Sequence, residues 1–264
     1  MELDHLIIVC CHAIYTGGSR SGFSEDEWVI EPFQRGETPT FINHAKAGIQ
    51  ALMEDPNGLL SFSGGATKKP RTEISEGGSY FNLCKENDFF GYPIDKSKVI
   101  TEAHATDSYQ NILFSLIEFR LHVGVWPRRV TVVTHEFKRV RFMDYHFPAL
   151  GLLPPLSKCE KRACPRNINL IGINPPEEIT PLECLIQGEM SKGIGLWKED
   201  PYGVGEELAG KRIKRGWTPG MEEVIFLNKG LENAVEQLVC WNGKGNHSFP
   251  HIQELPWFYD NIEN

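Results

Sequence analysis

Leu59-Leu60-Ser61-Phe62-Ser63-Gly64-Gly65 is the stretch that decides how this chain folds. A short apolar run that breaks into Ser-Gly-Gly reads as a buried strand ending in a tight turn, because glycine tolerates backbone geometry and close approach that a side chain forbids. The same grammar recurs on both sides of it. Leu6-Ile7-Ile8-Val9 leads into Cys10-Cys11-His12. Val99-Ile100 leads into Thr101-Glu102, with Asp107-Ser108-Tyr109-Gln110-Asn111 close behind. Val130-Thr131-Val132-Val133 leads into Thr134-His135-Glu136, with Lys138 and Arg141 following, and residues 167–173 predict a fifth strand.

Helical spacing fills the gaps. A helix is predicted over 43–53, capped by Asn43 and stopped by the turn Asp55-Pro56-Asn57-Gly58. Others are predicted over about 74–86, over 136–147 and over 177–190. A further helix starts at Asp107 or Ser108, with Ile112, Leu113, Leu116, Ile117 and Leu121 on its apolar face. Five alternations of strand and helix, without hairpin-length gaps, predict right-handed crossovers. The fold class is therefore α/β: a Rossmann-like three-layer sandwich, with a mostly parallel sheet of about five strands and helices on both faces. Residues 1–190 form this domain. Residues 191–264 carry Trp197, Trp217, Trp241 and Trp257 and one long helical pattern over 221–239; they read as a C-terminal extension packed on the domain.

Composition narrows the function. Hydrophobic residues make up 41% of the 264, enough for a core. A formal net charge of −8 argues against a general nucleic-acid binder, which needs a basic face. The basic runs Lys138-Arg139-Val140-Arg141 and Lys211 to Arg215 read as solvated surface or as local anion sites. No segment approaches the roughly 20 apolar residues that span a bilayer, and Glu2 and Asp4 sit where a secretory signal would be basic. Seven irregularly spaced cysteines predict reduced thiols. The expected location is cytoplasmic, with no membrane partner. Cys159 and Cys164 have no second pair at matching spacing, so no residue is assigned as a metal ligand.

Parallel sheets bind ligands where the carboxyl ends of the strands meet the following loops. Four distant segments are thus expected to converge. Ser63, Gly64 and Gly65 would offer an anion bare amides and a hydroxyl before a helix start, or form only a tight turn. Glu76, near that helix start, reads as a cap for the dipole or as a catalytic carboxylate. Glu102, His104, Asp107, Ser108 and Asn111 form the densest polar cluster, suited to ribose hydroxyls, a divalent cation or a water nucleophile. Lys138 and Arg141 oppose the dipole of the helix they begin. A bound anion would relieve that conflict, and so would a salt bridge from Arg141 to a carboxylate. His12 is a better site residue than its neighbour Cys11, since adjacent strand residues face opposite ways. The candidate catalytic residues are Glu102 and Glu76. The candidate ligand contacts are His12, Ser63, Gly64, Gly65, Ser108, Asn111, Thr134, His135, Lys138 and Arg141. No nucleophile elbow, P-loop or dinucleotide fingerprint is present. Gly203-x-Gly205 lacks the third glycine and a preceding strand.

The order and spacing of Ser63-Gly64-Gly65, Ser75-Glu76, Glu102 with Ser108 and Asn111, and Thr134 with Arg141 resemble the family typified by SanA, YdcF and ElyC, in its soluble fungal branch, over roughly residues 5–190. The chain departs from it at His44, where many bacterial members have arginine, and at Lys138, where many have histidine. The resemblance implies a Rossmann-like fold, a strand-end pocket and nucleotide-like ligands, S-adenosylmethionine among them. The envelope roles of SanA and ElyC are not implied, since their membrane segment is missing from this sequence. Residues beyond about 190 resemble only the eukaryotic branch. The expected function is binding, and transformation by a hydrolase or transferase, of a small anionic metabolite that is phosphorylated or nucleotide-like. The alternatives are a non-catalytic nucleotide or S-adenosylmethionine sensor, and an interaction scaffold. The cofactor stays open between a divalent metal and S-adenosylmethionine, and the oligomeric state stays open.

Overall fold

The computed structural model describes residues 2–155, 167–243 and 247–259. The segment that holds Cys159 and Cys164 lies outside them. Strands β1 (His5–Cys10), β4 (Gly58–Ser63), β5 (Val99–Glu102), β6 (Arg129–Thr134) and β7 (Ile168–Gly172) form one sheet in the order β5-β4-β1-β6-β7. All its pairings are parallel. Ranked along the chain, that order is 3-2-1-4-5, the doubly wound arrangement in which the direction of winding reverses beside the first strand. The register levels the strand ends: Cys10 lies opposite Ser63, and Ser63 opposite Glu102.

All six residues of β1 are buried, as expected for a central strand covered on both faces. Leu6, Ile8 and Cys10 pack with helix α3 (Ser108–Val123) and with the C-terminal region. Ile7, Val9 and Cys11 pack with α1 (Thr38–Glu54) and α2 (Glu76–Glu86). Two apolar layers thus sandwich the sheet. Helix α1 approaches β1 at backbone range: a Cβ on Gly48 would lie 2.4 Å from Val9 Cγ2.

Several elements differ from expectation. Helix α1 begins at Thr38 rather than near Asn43, with Pro39 in its first turn, where a missing N–H is harmless. The predicted helix over 136–147 is a series of turns of changing pitch: a 3-10 turn (Glu136–Lys138), α4 (Arg139–Arg141), a π-helical turn (Phe142–His146) and α5 (Phe147–Ala149). Helix α6 (Leu182–Glu189) starts after Pro181, later than predicted, and runs into a second π-helical turn (Met190–Ile194). A hairpin was not expected, yet β2 (Ile14–Tyr15) and β3 (Trp28–Val29) pair antiparallel within the long connection after β1.

The C-terminal extension is helical. It contains α7 (Gly195–Glu199), α8 (Glu206–Lys214), α9 (Met221–Phe226) and α10 (Asn233–Val239). The pattern over 221–239 is therefore two short helices, interrupted where Asn228 and Gly230 take positive φ. Trp197, Trp217, Phe226 and Trp257 join the same apolar cluster as Leu6 and Phe119. The basic run of α8 is only partly solvated: Arg212 pairs with Asp107 at 2.6 Å, and Arg215 donates to the Thr106 carbonyl. Cys10, Cys11 and Cys84 are buried free thiols. No helix of the described residues is long and apolar enough to cross a membrane.

Candidate metal centre at the switch point

The winding reverses between β1 and β6, which open a crevice at their carboxyl ends. His12 lies just beyond β1, and His135 follows directly after β6. His44 arrives from α1, on the buried stripe of Phe41, Ala45, Gly48, Ile49 and Leu52. One ligand atom from each of the three histidines lies within 4.8 Å of the others. The His12 and His135 rings are 4.4 Å apart, and those of His44 and His135 4.8 Å.

These imidazoles are kept neutral. Burial, reinforced by the Lys138 cation, pushes His12 and His135 well below the ordinary histidine range and brings His44 down to about 4. Neutral imidazole is the form that ligates metals. His44 Nε2 lies 2.9 Å from the Ile173 carbonyl. A carbonyl only accepts, so the proton sits on Nε2, and Nδ1 carries a bare lone pair with no hydrogen-bond partner. Both ring nitrogens of His135 are also buried without a partner. Leaving such groups unmade costs about 1–3 kcal/mol each. A bound cation would offset that cost.

Lys138 Nζ stands 3.4 Å from His12 Nδ1, and Thr134 Oγ1 3.4 Å from His12 Nε2. Burial and the Arg141 charge lower the Lys138 ammonium to about 8. His12, Thr134, His135 and Lys138 are therefore brought together. The Cys10 thiol is pushed up to about 12 by burial and feels the charges of Lys138, Glu102, Arg141 and Glu76.

The other candidates form separate, satisfied networks. Glu102 is 1% exposed. One carboxylate oxygen accepts from Ser63 Oγ at 2.6 Å, and the other from the amides of His104 at 2.5 Å and Ala105 at 2.9 Å. Asn111 Nδ2 donates to the Ser63 carbonyl and hydroxyl. Burial raises the Glu102 carboxyl to about 7 against these hydrogen bonds. The Gly64 amide donates to the Glu102 carbonyl and the Gly65 amide to that of Ala105, so neither is free for an anion. What these glycines supply is room: a Cβ on Gly64 would sit 2.8 Å from Glu76 Cβ. Glu76 lies in the first turn of α2, where its carboxylate suits the helix dipole, while the N-cap hydrogen bond is made by Ser75. Its carboxyl accepts from the Thr67 hydroxyl and is raised by burial, while Lys68, Arg215 and Lys138 act the other way. Arg141 is paired with Glu189 through two hydrogen bonds and donates to Ser108 Oγ at 3.3 Å, and Ser108 Oγ lies 2.7 Å from His146 Nε2. The salt-bridge alternative is the one the molecule adopts. A cleft of about 400 Å³ lined by Asp4, Asn57, Trp126 and Arg128 opens at the opposite end of the sheet.

In the sequence His44 is named only as a departure from the family's arginine and not as a site residue; its signal is a titratable residue on the otherwise apolar stripe of Ala45, Gly48, Ile49 and Leu52.

A Saccharomyces cerevisiae protein, Uncharacterized protein YOR238W, is 25% identical over 265 residues, spanning 81% of this chain and 84% of its own length. No family model matches the chain. No solved structure matches it either. The comparisons thus supply a similar fungal protein, and its name carries no activity.

Proposed function

We propose that the chain binds a divalent first-row transition metal through His12, His44 and His135 and uses it to act, as a hydrolase or transferase, on a small anionic metabolite. The observation that supports this best is one nitrogen from each of three neutral imidazoles within 4.8 Å of one another at the switch point, those of His44 and His135 without a hydrogen-bond partner. Imidazole suits zinc, iron, nickel and copper, and catalytic metal sites keep a position open for substrate or water. Two metal–nitrogen bonds of about 2.0–2.1 Å span at most about 4.2 Å, so the widest pair draws in slightly on binding. Three neutral ligands leave the ion's double charge intact, and Lys138 adds a cation beside it. An anionic ligand, phosphorylated or nucleotide-like, complements that field. The metal would supply Lewis acidity and an activated water. Lys138 would hold the anion.

The test is metal content by mass spectrometry after dialysis against Zn2+, Co2+ and Mn2+ in turn, for the wild type and His135→Asn. Wild type should retain a stoichiometric ion that the variant loses. Thermal-shift screens with phosphate, nucleotides and S-adenosylmethionine should then stabilise the metal-loaded chain more than the metal-free one. A wild type that retains none of these ions sinks the reading.

A further inference from the structure

We infer that Glu37 is the fourth protein ligand of that ion, and that the loop after β7 is the outer shell which aims the ligands. The inference rests on the metal-binding reading above. Glu37 immediately precedes α1 and lies seven residues before His44, two helical turns away along the same side. It is 5% exposed. Its Oε2 stands 3.9 Å from His135 Nε2. That is too long for a hydrogen bond, and it is within the span of about 4.2 Å available to two atoms bound to one ion. Among the described residues, no lysine or arginine forms an ion pair with this buried carboxylate; His135 is its partner at that range. An unpaired buried carboxylate is costly, and a cation between Glu37 and the three histidines would relieve it.

Metal ligands are normally aimed by a second layer of hydrogen bonds. Residues 173–180 supply that layer here. The Ile173 carbonyl accepts from His44 Nε2 and turns Nδ1 inward. The Thr180 hydroxyl donates to Glu37 Oε1 at 3.0 Å, leaving Oε2 toward His135. Asn174 Oδ1 accepts from the Phe137 amide at 3.0 Å, fixing the turn between His135 and Lys138. One loop therefore buttresses two ligand-bearing segments, α1 with its N-cap and the turn after His135. Three histidines and one glutamate would lower the net charge of the loaded centre to +1. An ion accepting five or six ligands, of the manganese, iron or cobalt class, would then keep a position for the anion beside Lys138.

Cobalt(II) titration tests this, because its visible absorption reports the ligand set and chelator competition reports affinity. Glu37→Gln should weaken Co2+ binding about 100-fold and alter the absorption bands. Thr180→Val should weaken it about tenfold with the bands retained. Circular dichroism of both metal-free variants should match the wild type. Should Glu37→Gln bind Co2+ with wild-type affinity and wild-type bands while His135→Asn does not bind, Glu37 is not a ligand, although the histidine site stands. A wild type that binds no Co2+, Zn2+ or Mn2+ removes the histidine site itself.

Discussion

Two corners of the same sheet end are built from similar residues and behave in opposite ways. At the β4–β5 corner, Ser63, Glu102 and Asn111 meet two backbone amides, and both oxygens of the carboxylate are hydrogen-bonded. At the β1–β6 corner, His44 Nδ1 and both nitrogens of His135 have no hydrogen-bond partner, and Lys138 is crowded against His12. A buried polar group that is fully bonded holds the fold together; one that is left bare costs stability. The first corner is thus a scaffold joint, and the second has the character of a binding site. Removing polar groups should weaken the first and relax the second.

The largest effect is expected from Glu102→Ala. It leaves the Ser63 hydroxyl and the amides of His104 and Ala105 without their acceptor. Urea denaturation at pH 7 should show a loss of about 3 kcal/mol. Metal affinity of the folded fraction should stay within about twofold, since no Glu102 atom contacts the histidines. A stability change under about 1 kcal/mol would show that this corner is not a joint.

A subtler change at the same carboxyl separates its charge from its hydrogen bonds. Glu102→Gln retains a carbonyl acceptor and replaces the ionisable oxygen. The folded carboxyl is raised from 4.5 to about 7 by burial. A raised pKa means that the stabilising contribution of the protonated form is complete below pH 4.5 and is lost as pH rises through about 7. Wild type should therefore lose about 3 kcal/mol between pH 4.5 and 8 relative to the Gln variant. Parallel stability profiles for the two proteins over that window would show that Glu102 ionises without penalty.

The scaffold was the legible part of this chain. Strand positions follow from apolar runs whose period and length leave few options, and the order of polar breaks after them marked the strand ends. Ser63, Glu102, Asn111 and Arg141 were visible for the same reason: they are local to those breaks. What the polar groups bond to was not visible. The partner of Arg141 is Glu189, 48 residues away, and the Gly64 and Gly65 amides are consumed by carbonyls of the β5 loop. Glu37, just before α1, and His44, in its second turn, were not legible as site residues because neither follows a strand end. They reach the crevice only through the packing of α1 against β1, which the close approach at Gly48 makes possible. Local sequence thus reports where a strand ends and says little about which side chains arrive there from another layer.

The smallest effect should carry the opposite sign, at the bare corner. Lys138→Met removes a half-buried cation from beside His12 and Arg141. Burial and the Arg141 charge hold the folded ammonium at about 8, below the ordinary 10.5. With a lowered folded pKa, the penalty is complete below pH 8 and is relieved as pH rises from about 8 through 10.5. Metal-free Lys138→Met should consequently be more stable than wild type by about 1 kcal/mol at pH 7, with the gain fading by pH 10.5. Denaturation of the two metal-free proteins at pH 7 and pH 10 measures both points. The same variant should lose the metal-dependent stabilisation by phosphate, because the cation that costs stability in the empty crevice is the one that meets the anion. A variant that is destabilised, yet still stabilised by phosphate, would place Lys138 with the scaffold residues and erase the difference between the two corners.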